Sequence, residues 1–293
     1  MLLTVDIGNT NVTIGVFEGE RLATTIRMVT DTRRVMDEYV LLLLNLLKLH
    51  DIERQQIDSA CICSVVPPLT GVFEEACRTC FNVTPLVVSA GVRTGLPILY
   101  DNPRDVGADR IVDAVAALRL YQPPLIVVDL GTATVFDAVS RQGEYLGGAI
   151  APGINLAAEA LFLNTSQLRR VELTAPKKAI GHNTVTAIQS GLLLGYASLI
   201  TGMVQRFKDE IGQDARVIGT GGLVRVIAEE AKVFDAINPD LTLIGLRLIY
   251  EMNQPRSNPS KPPLQKGDKE GFSPSRRGTE GSQEESRGRS TGR

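Results

Sequence analysis

Three aspartates carry the clearest chemical signal in this 293-residue chain. Asp6 stands in VDIGNTN at residues 5–11, Asp129 in VDLGTAT at 128–134, and Asp109 in YDNPRDVGADRIVDA at 100–114. The first two segments share one pattern. An apolar run ends in Asp, Gly follows two residues later, and small or polar residues come next. An Asp at the end of a buried strand aims a carboxylate out of the sheet edge. Gly8, Asn9, Thr10 and Asn11 then read as a tight turn, where Gly lets a ligand approach the backbone. Successive turn N–H groups with Asn and Thr side chains suit a polyphosphate. A carboxylate beside it suits Mg²⁺, directly or through water. Asp129, Gly131, Thr132 and Thr134 offer a matching surface. The chain contains neither GxxxxGK[ST] nor GxGxxG, so a nucleotide site here must be of this hairpin type.

The 100–114 segment crowds Tyr100, Arg104, Asp105, Asp109 and Arg110 ahead of a helix. Asp109 and Asp113 are four residues apart and share a helical face. Two roles fit. Asp105 or Asp109 can complement the positive end of the helix dipole. Alternatively, a carboxylate here accepts a hydroxyl proton, with Arg110 as an anion clamp beside it. RVIGTGG at 216–222 is open in the same way, as a packing junction or as a flat backbone surface for a nucleoside.

The elements that must hold these residues occur twice. Strands are predicted over LLTVDIG, VTIGVFEG and RLATTIRM, a helix from about Met36 to Leu49, a strand near 58–66, a helix opened by Pro67 and Pro68, and a short strand ending near Ser89. A helix over 107–121 leads into PLIVVDLG, TVFDAVS and EYLGGAIA, again three strands. Helices follow at about 153–163 and from about Asn183 to Ile211. RVIGTGG is the next strand, with a helix after it, and a last helix starts near Asn238 or Pro239. VDxG is short enough to recur by chance, but the repeated three-strand order favours duplication. Two similar halves would face each other across a cleft, at 1–115 and 116–253.

Composition sets limits on the rest. Hydrophobic residues make up 43% and charged residues 22%, enough apolar material for packed cores. Residues 254–293 carry a net +4, which leaves −6 for residues 1–253 within the total of −2. The acidic body argues against a nucleic-acid surface. Gly, Pro and Ser supply 18 of the 40 tail residues, so a disordered basic tail is expected. The longest apolar run, VLLLLNLL at 40–47, is too short to span a bilayer, and the N-terminus lacks a basic leader; a cytoplasmic protein without membrane contact is expected. Cys77 and Cys80 form a CxxC on a helical stretch, while Cys61 and Cys63 lie in a strand. With no second CxxC and both histidines far along the chain, spare thiols fit better than zinc.

DIGNTN, YDNPRDVGADR, VVDLGTATVFD, GGAIAPG, GHNTVTAIQSG and VIGTGGL, in this order and over residues 1–253, resemble the type III pantothenate kinases. The resemblance implies an α/β architecture of two ribonuclease-H-like halves, the duplicated actin-like ATPase fold, with the nucleotide in the cleft. It implies phosphorylation of pantothenate by ATP, the entry step to coenzyme A, in a homodimer. By the same resemblance, Asp6, Ile7, Gly8, Asn9, Thr10, Asn11, Val12, Thr13 and Thr132 bind ATP, Asp6 helps hold Mg²⁺, and Asp129 binds K⁺ or NH₄⁺. Tyr100, Gly107, Ala108, Asp109 and Arg110 bind pantothenate, Asp109 as proton acceptor and Arg110 near the carboxylate. Thr184 reaches pantothenate from the partner subunit. A related kinase for another small hydroxy compound and a non-catalytic role, as an accessory factor in transcription, are the competing readings.

Overall fold

The computed structural model describes residues 1–254; apart from Gln254, the expected disordered tail lies outside the described residues. The first half runs β1 (Leu2–Ile7), β2 (Asn11–Glu18), β3 (Arg21–Val29), α1 (Met36–Leu49), β4 (Ser59–Ser64), α2 (Pro67–Phe81), β5 (Leu86–Val87) and α3 (Ala108–Leu120). The second runs β6 (Leu125–Leu130), β7 (Ala133–Val139), β8 (Tyr145–Pro152), α4 (Ile154–Leu163), α5 (Thr184–Gln189), α6 (Gly195–Ile211), β9 (Arg216–Thr220), α7 (Val224–Ala231), β10 (Ala236–Ile237) and α8 (Leu241–Asn253).

The repeat is topological as well as sequential. The sheets are ordered β3-β2-β1-β4-β5 and β8-β7-β6-β9-β10. Each has an antiparallel meander whose first strand also pairs in parallel with a strand reached through helices. The expected boundary after residue 115 falls inside α3, which packs on β4 as well as on β6 and β7. Its counterpart α8 returns to pack on α3 and on β1 and β4 of the first sheet.

Strand alternation sorts side chains into three cores. Leu3, Val5 and Ile7 face α1 and α2, together with Tyr39, Leu43 and Phe73. Ile126, Val128 and Leu130 face the α6 and α7 side. The opposite faces, with Leu2 on β1 and Leu125 and Val127 on β6, join α3 and α8 in a central core shared by both sheets. By the same period of two, Asp6 follows Leu2 and Thr4, and Asp129 follows Leu125 and Val127. Both carboxylates therefore end the strand faces that look into the seam between the sheets.

Three expectations are refined. The long helix from Asn183 is interrupted by a π-helical turn at Ser190–Leu194 between α5 and α6. Its start is set by Asn183, whose side chain accepts from Thr186 N at 3.0 Å. The last helix begins at Leu241 rather than at Asn238 or Pro239, because Asn238 Oδ1 accepts from Asp240 N at 3.1 Å in the turn before it. The continuous stretch Thr184–Ile211 also has a mean hydropathy of 1.4 over its most apolar window, long and apolar enough to cross a membrane, with only 33% of that window buried. No unbroken apolar run marks it in the sequence, because polar residues are scattered through it.

Candidate active site

The two hairpin turns meet. Thr10 Oγ1 in the β1–β2 turn lies 2.7 Å from Thr132 Oγ1 in the β6–β7 turn, 122 residues along the chain. Both turns are tied internally, Gly8 N donating to Asn11 O and Gly131 N to Ala133 O, each at 3.0 Å. A third pin escaped the sequence reading. At the end of β3, Thr30 Oγ1 donates to Gly8 O at 2.6 Å and Thr30 N donates to Thr10 O at 3.0 Å. Nothing local in the sequence marks Thr30, because its role depends on β3 lying beside the turn. Asn9, Thr10, Asn11 and Thr132 are exposed, ready to face a ligand. Ile7 and Val12 are fully buried, so any contact they make with a nucleotide is through backbone alone. Thr134 is 1% exposed and paired with Leu130 in the hairpin, which corrects its placement on the cleft surface.

Behind the turns, carboxylates converge. Asp6 is enclosed by protein atoms on most sides. Burial, then the charges of Asp109 and Asp129, push its carboxyl up to about 8. Burial, then Asp109 and Asp137, push Asp129 up to about 7. Asp113, one turn below Asp109 on α3, is held well above the usual carboxylate range by burial and then by Asp129; Thr242 Oγ1 of α8 donates to it at 2.7 Å. This is an excess of negative charge with no cationic side chain among its causes, the electrostatic condition for holding a cation. Among the described residues, no three His, Cys, Asp or Glu side chains close on a common metal position. That donor set suits Mg²⁺, which binds through one or two carboxylates plus phosphate oxygens and water. The site backbone is crowded too. A Cβ at Gly221, where φ is +87°, would lie 2.3 Å from Asp129 Oδ1, and one at Gly153 would lie 2.3 Å from Thr132 O. VIGTGG thus serves the site by letting the β9 turn press on Asp129.

At the start of α3, the helix N-cap is Gly107, which offers no side-chain cap. Asp109 Oδ1 accepts from Arg110 N at 2.8 Å, and a Cβ on Gly107 would lie 2.5 Å from the same oxygen. Ala108 takes the first helical position. Asp105, the other acid considered for this role, is exposed in a short 3₁₀ turn at Pro103–Asp105, where it accepts from Asn102 Nδ2 at 2.8 Å. Arg110 is not a free clamp. It is buried and ion-paired, with Nη2 2.7 Å and Nε 2.9 Å from Asp137 Oδ1. Tyr145 Oη donates to the same oxygen at 2.7 Å. Removing one member of such a buried pair typically costs ~3–5 kcal/mol. Tyr100 is 36% exposed and lies on the glycine edge of β8, 3.1 Å from where a Cβ on Gly147 would stand.

Thr184 stands apart from this cluster. It is exposed on the first turn of α5, in an open groove of about 740 Å³ lined by Leu161, Leu168, His182, Ile188 and Leu192. The four cysteines are free thiols; burial, then the charges of Asp6 and Asp109, hold Cys63 well above its ordinary value.

Solved structures with this chain arrangement define the fold class. A Baf family protein from Campylobacter jejuni superposes with a TM-score of 0.56 at 19% identity, over 86% of this chain and 98% of its own. Component A of (R)-2-hydroxyglutaryl-CoA dehydratase from Acidaminococcus fermentans gives 0.50 at 14% identity, over 84% and 94%. The class is the two-lobed, duplicated actin-like ATPase fold. Within it, the family model for type III pantothenate kinase matches residues 2–206. Type III pantothenate kinases of Dehalococcoides mccartyi strain CBDB1 and Roseiflexus sp. strain RS-1 are 53% and 51% identical, over 86% and 87% of this chain and 96% and 100% of theirs. The chain belongs to the type III pantothenate kinase family.

Proposed function

We propose that the chain transfers the γ-phosphoryl group of ATP to the primary hydroxyl of pantothenate, giving ADP and 4′-phosphopantothenate, the first step towards coenzyme A. The observation that carries the reading is the meeting of the two hairpin turns at Thr10 and Thr132, with the mutually repelling Asp6 and Asp129 near the ends of the strands that lead into them. Residues 6–13 and Thr132 hold the ATP phosphates. Asp6 helps hold Mg²⁺ and Asp129 a monovalent cation, K⁺ or NH₄⁺. When bound, these cations neutralise phosphate charge. The protein's own task is positioning and electrostatics, which phosphoryl transfer requires more than covalent chemistry. Tyr100, Gly107, Ala108, Asp109 and Arg110 bind pantothenate. Asp109 orients the hydroxyl and takes its proton as the oxygen bonds to the γ-phosphorus and the bond to the β–γ bridging oxygen breaks. We read the enzyme as cytoplasmic.

The test is ADP formation with pantothenate, acetate or a sugar as acceptor, in K⁺ and in Na⁺. Turnover is expected with pantothenate and is expected to fall sharply when Na⁺ replaces K⁺. Strong turnover only with another hydroxy compound would overturn the substrate, and full activity in Na⁺ would count against Asp129 as the cation ligand.

The chain also carries an apolar surface around Thr184. Leu156 and Leu163 of α4 are 53% and 66% exposed and Ile180 is 78% exposed, beside the largely uncovered Thr184–Ile211 helix. Such a patch marks an interaction surface. The family resemblance implies that Thr184 reaches pantothenate from a partner subunit, and a second copy covering this patch fits that reading, so we read the enzyme as a homodimer. Light scattering is expected to return twice the chain mass of 31.7 kDa, and a monomer at working concentration would refute this.

A further inference from the structure

The register of the first meander lays a row of side chains across the sheet at the level of Asp6. Asp6 on β1 pairs with Thr13 on β2, and Thr13 pairs with Arg27 on β3. Strand alternation puts all three on one face. Their neighbours along the strands, Val5 and Ile7, Val12 and Ile14, and Ile26 and Met28, are all buried in the core against α1 and α2. The row therefore lies on the face that looks into the seam between the sheets. One row down, α8 closes that seam: a Cβ on Gly15, the partner of Thr4 and Thr25, would lie 3.1 Å from Leu243 Cδ1. α8 thus floors the cleft just below Asp6, Thr13 and Arg27.

Arg27 is exposed. Arg21, at the other end of the same strand, pairs with Glu18, and Arg33 in the loop that follows pairs with Asp31. Arg27 has no carboxylate in ion-pair range among the described residues. Cβ atoms of residues paired across a sheet stand about 5 Å apart, so two steps place Arg27 roughly 10 Å from Asp6. That gap, bordered by Thr13, has room for a phosphate group between Asp6 and the guanidinium.

The direction of the row matters as well. α3, which carries Asp109, packs on β4, and β4 lies on the other side of β1 from β2. Across the sheet the order is therefore Asp109, Asp6, Thr13, Arg27. In phosphoryl transfer the attacking and leaving oxygens lie roughly in line, on opposite sides of the phosphorus. We infer that Arg27 is a further catalytic residue, whose guanidinium binds the β-phosphate of ATP. There it neutralises the charge that gathers on ADP as the bond between the γ-phosphorus and the bridging oxygen breaks. This rests on the phosphoryl transfer proposed above and adds the cationic side chain that the carboxylate cluster lacks. Arg110 does not fill that place, because it is paired with Asp137. No proton moves to or from Arg27, which stays charged throughout.

The experiment compares the wild type with Arg27→Gln, Arg27→Lys and, as control, Arg21→Gln. Each is titrated with ADP and Mg²⁺ in a calorimeter and assayed with ATP and pantothenate. Arg27→Gln is expected to weaken ADP binding about tenfold, the size of one charge-assisted hydrogen bond. It is expected to lower kcat about 10²-fold, as when one fixed donor to developing charge is removed, with little change in the KM for pantothenate. Arg27→Lys keeps the charge but loses the planar fork, and is expected to fall between the two. Arg21→Gln is expected to match the wild type in both measurements. Unchanged ADP affinity and kcat in Arg27→Gln would overturn the inference. So would a raised KM for pantothenate with ADP affinity intact, or losses as large in Arg21→Gln. The ADP titration needs no acceptor, so it tests Arg27 even if another hydroxy compound proves to be the substrate. A wild type inactive on pantothenate, with ADP binding still weakened in Arg27→Gln, would overturn the pantothenate reading alone.

Discussion

Asp109→Asn is expected to lower kcat for pantothenate phosphorylation by about 10²–10⁴-fold, the usual size of a general-base contribution, with little change in KM. The substitution is close to isosteric, and an Asn Oδ1 still accepts from Arg110 N, which now donates to Asp109 Oδ1 at 2.8 Å. The start of α3 therefore keeps its geometry while the proton acceptor is lost. Asp105→Asn is the control. Its carboxylate is exposed and bonded to Asn102 in the turn before the helix, and little change in rate is expected. Steady-state kinetics of the two variants separates the two roles open to this segment. If Asp109→Asn retained full activity, Asp109 would be a helix-start residue and nothing more.

The second large effect is on stability without cations. Asp6, Asp113 and Asp129 all have carboxyls raised above the ordinary value of 3.8, Asp6 to about 8 and Asp129 to about 7, with burial the first cause of each. The folded state therefore binds more protons than the unfolded chain between about pH 4 and pH 8. In that window stability falls as pH rises, because the folded state must ionise buried, mutually repelling groups. Below about pH 4 both states are protonated and the repulsion is absent; Asp129 and Asp6 ionise in the folded state near 7 and 8, and Asp113, held well above the usual carboxylate range, adds to the loss as pH rises. Each tenfold difference in proton affinity between the folded and unfolded states is worth about 1.36 kcal/mol, so the change is on the order of several kcal/mol. Thermal melts in chelator and without K⁺ are expected to show Tm falling from pH 5 to pH 8. Mg²⁺, ATP and K⁺ together are expected to flatten that dependence, since bound cations replace the protons. A cation-free Tm that rises over the same range would show that these carboxylates are compensated by something else.

Much of the fold was legible from periodicity. The strand run VDIG and its echo VDLG, each opening a three-strand meander, implied a duplication, and the two sheets have the same strand order. The parity of β1 was also readable: Asp6 shares a face with Leu2 and Thr4, opposite Leu3, Val5 and Ile7, so its side chain had to leave the α1–α2 core. Local patterns of this kind are set by backbone geometry and hold wherever the strand lies. The same is true of the Asn183 cap and of Pro67 and Pro68 opening α2.

What lay beyond the sequence is long-range. Thr30 pins a turn 22 residues earlier, Asp137 and Tyr145 hold Arg110 from 27 and 35 residues away, and Thr242 caps Asp113 across 129 residues. None has a neighbouring residue that marks it, since its partner comes from packing one sheet and one helix against another. Arg110 looked like a free clamp because its charge was visible and its counter-ion was not. The carboxylates show the same division. Each could be proposed singly from its strand or helix end, yet their shared repulsion depends on α3 and α8 filling the seam between two sheets. Periodicity decides which face a side chain takes; only the closing of the two halves decides which charges it meets there, because Coulomb energy depends on distance in space and not along the chain.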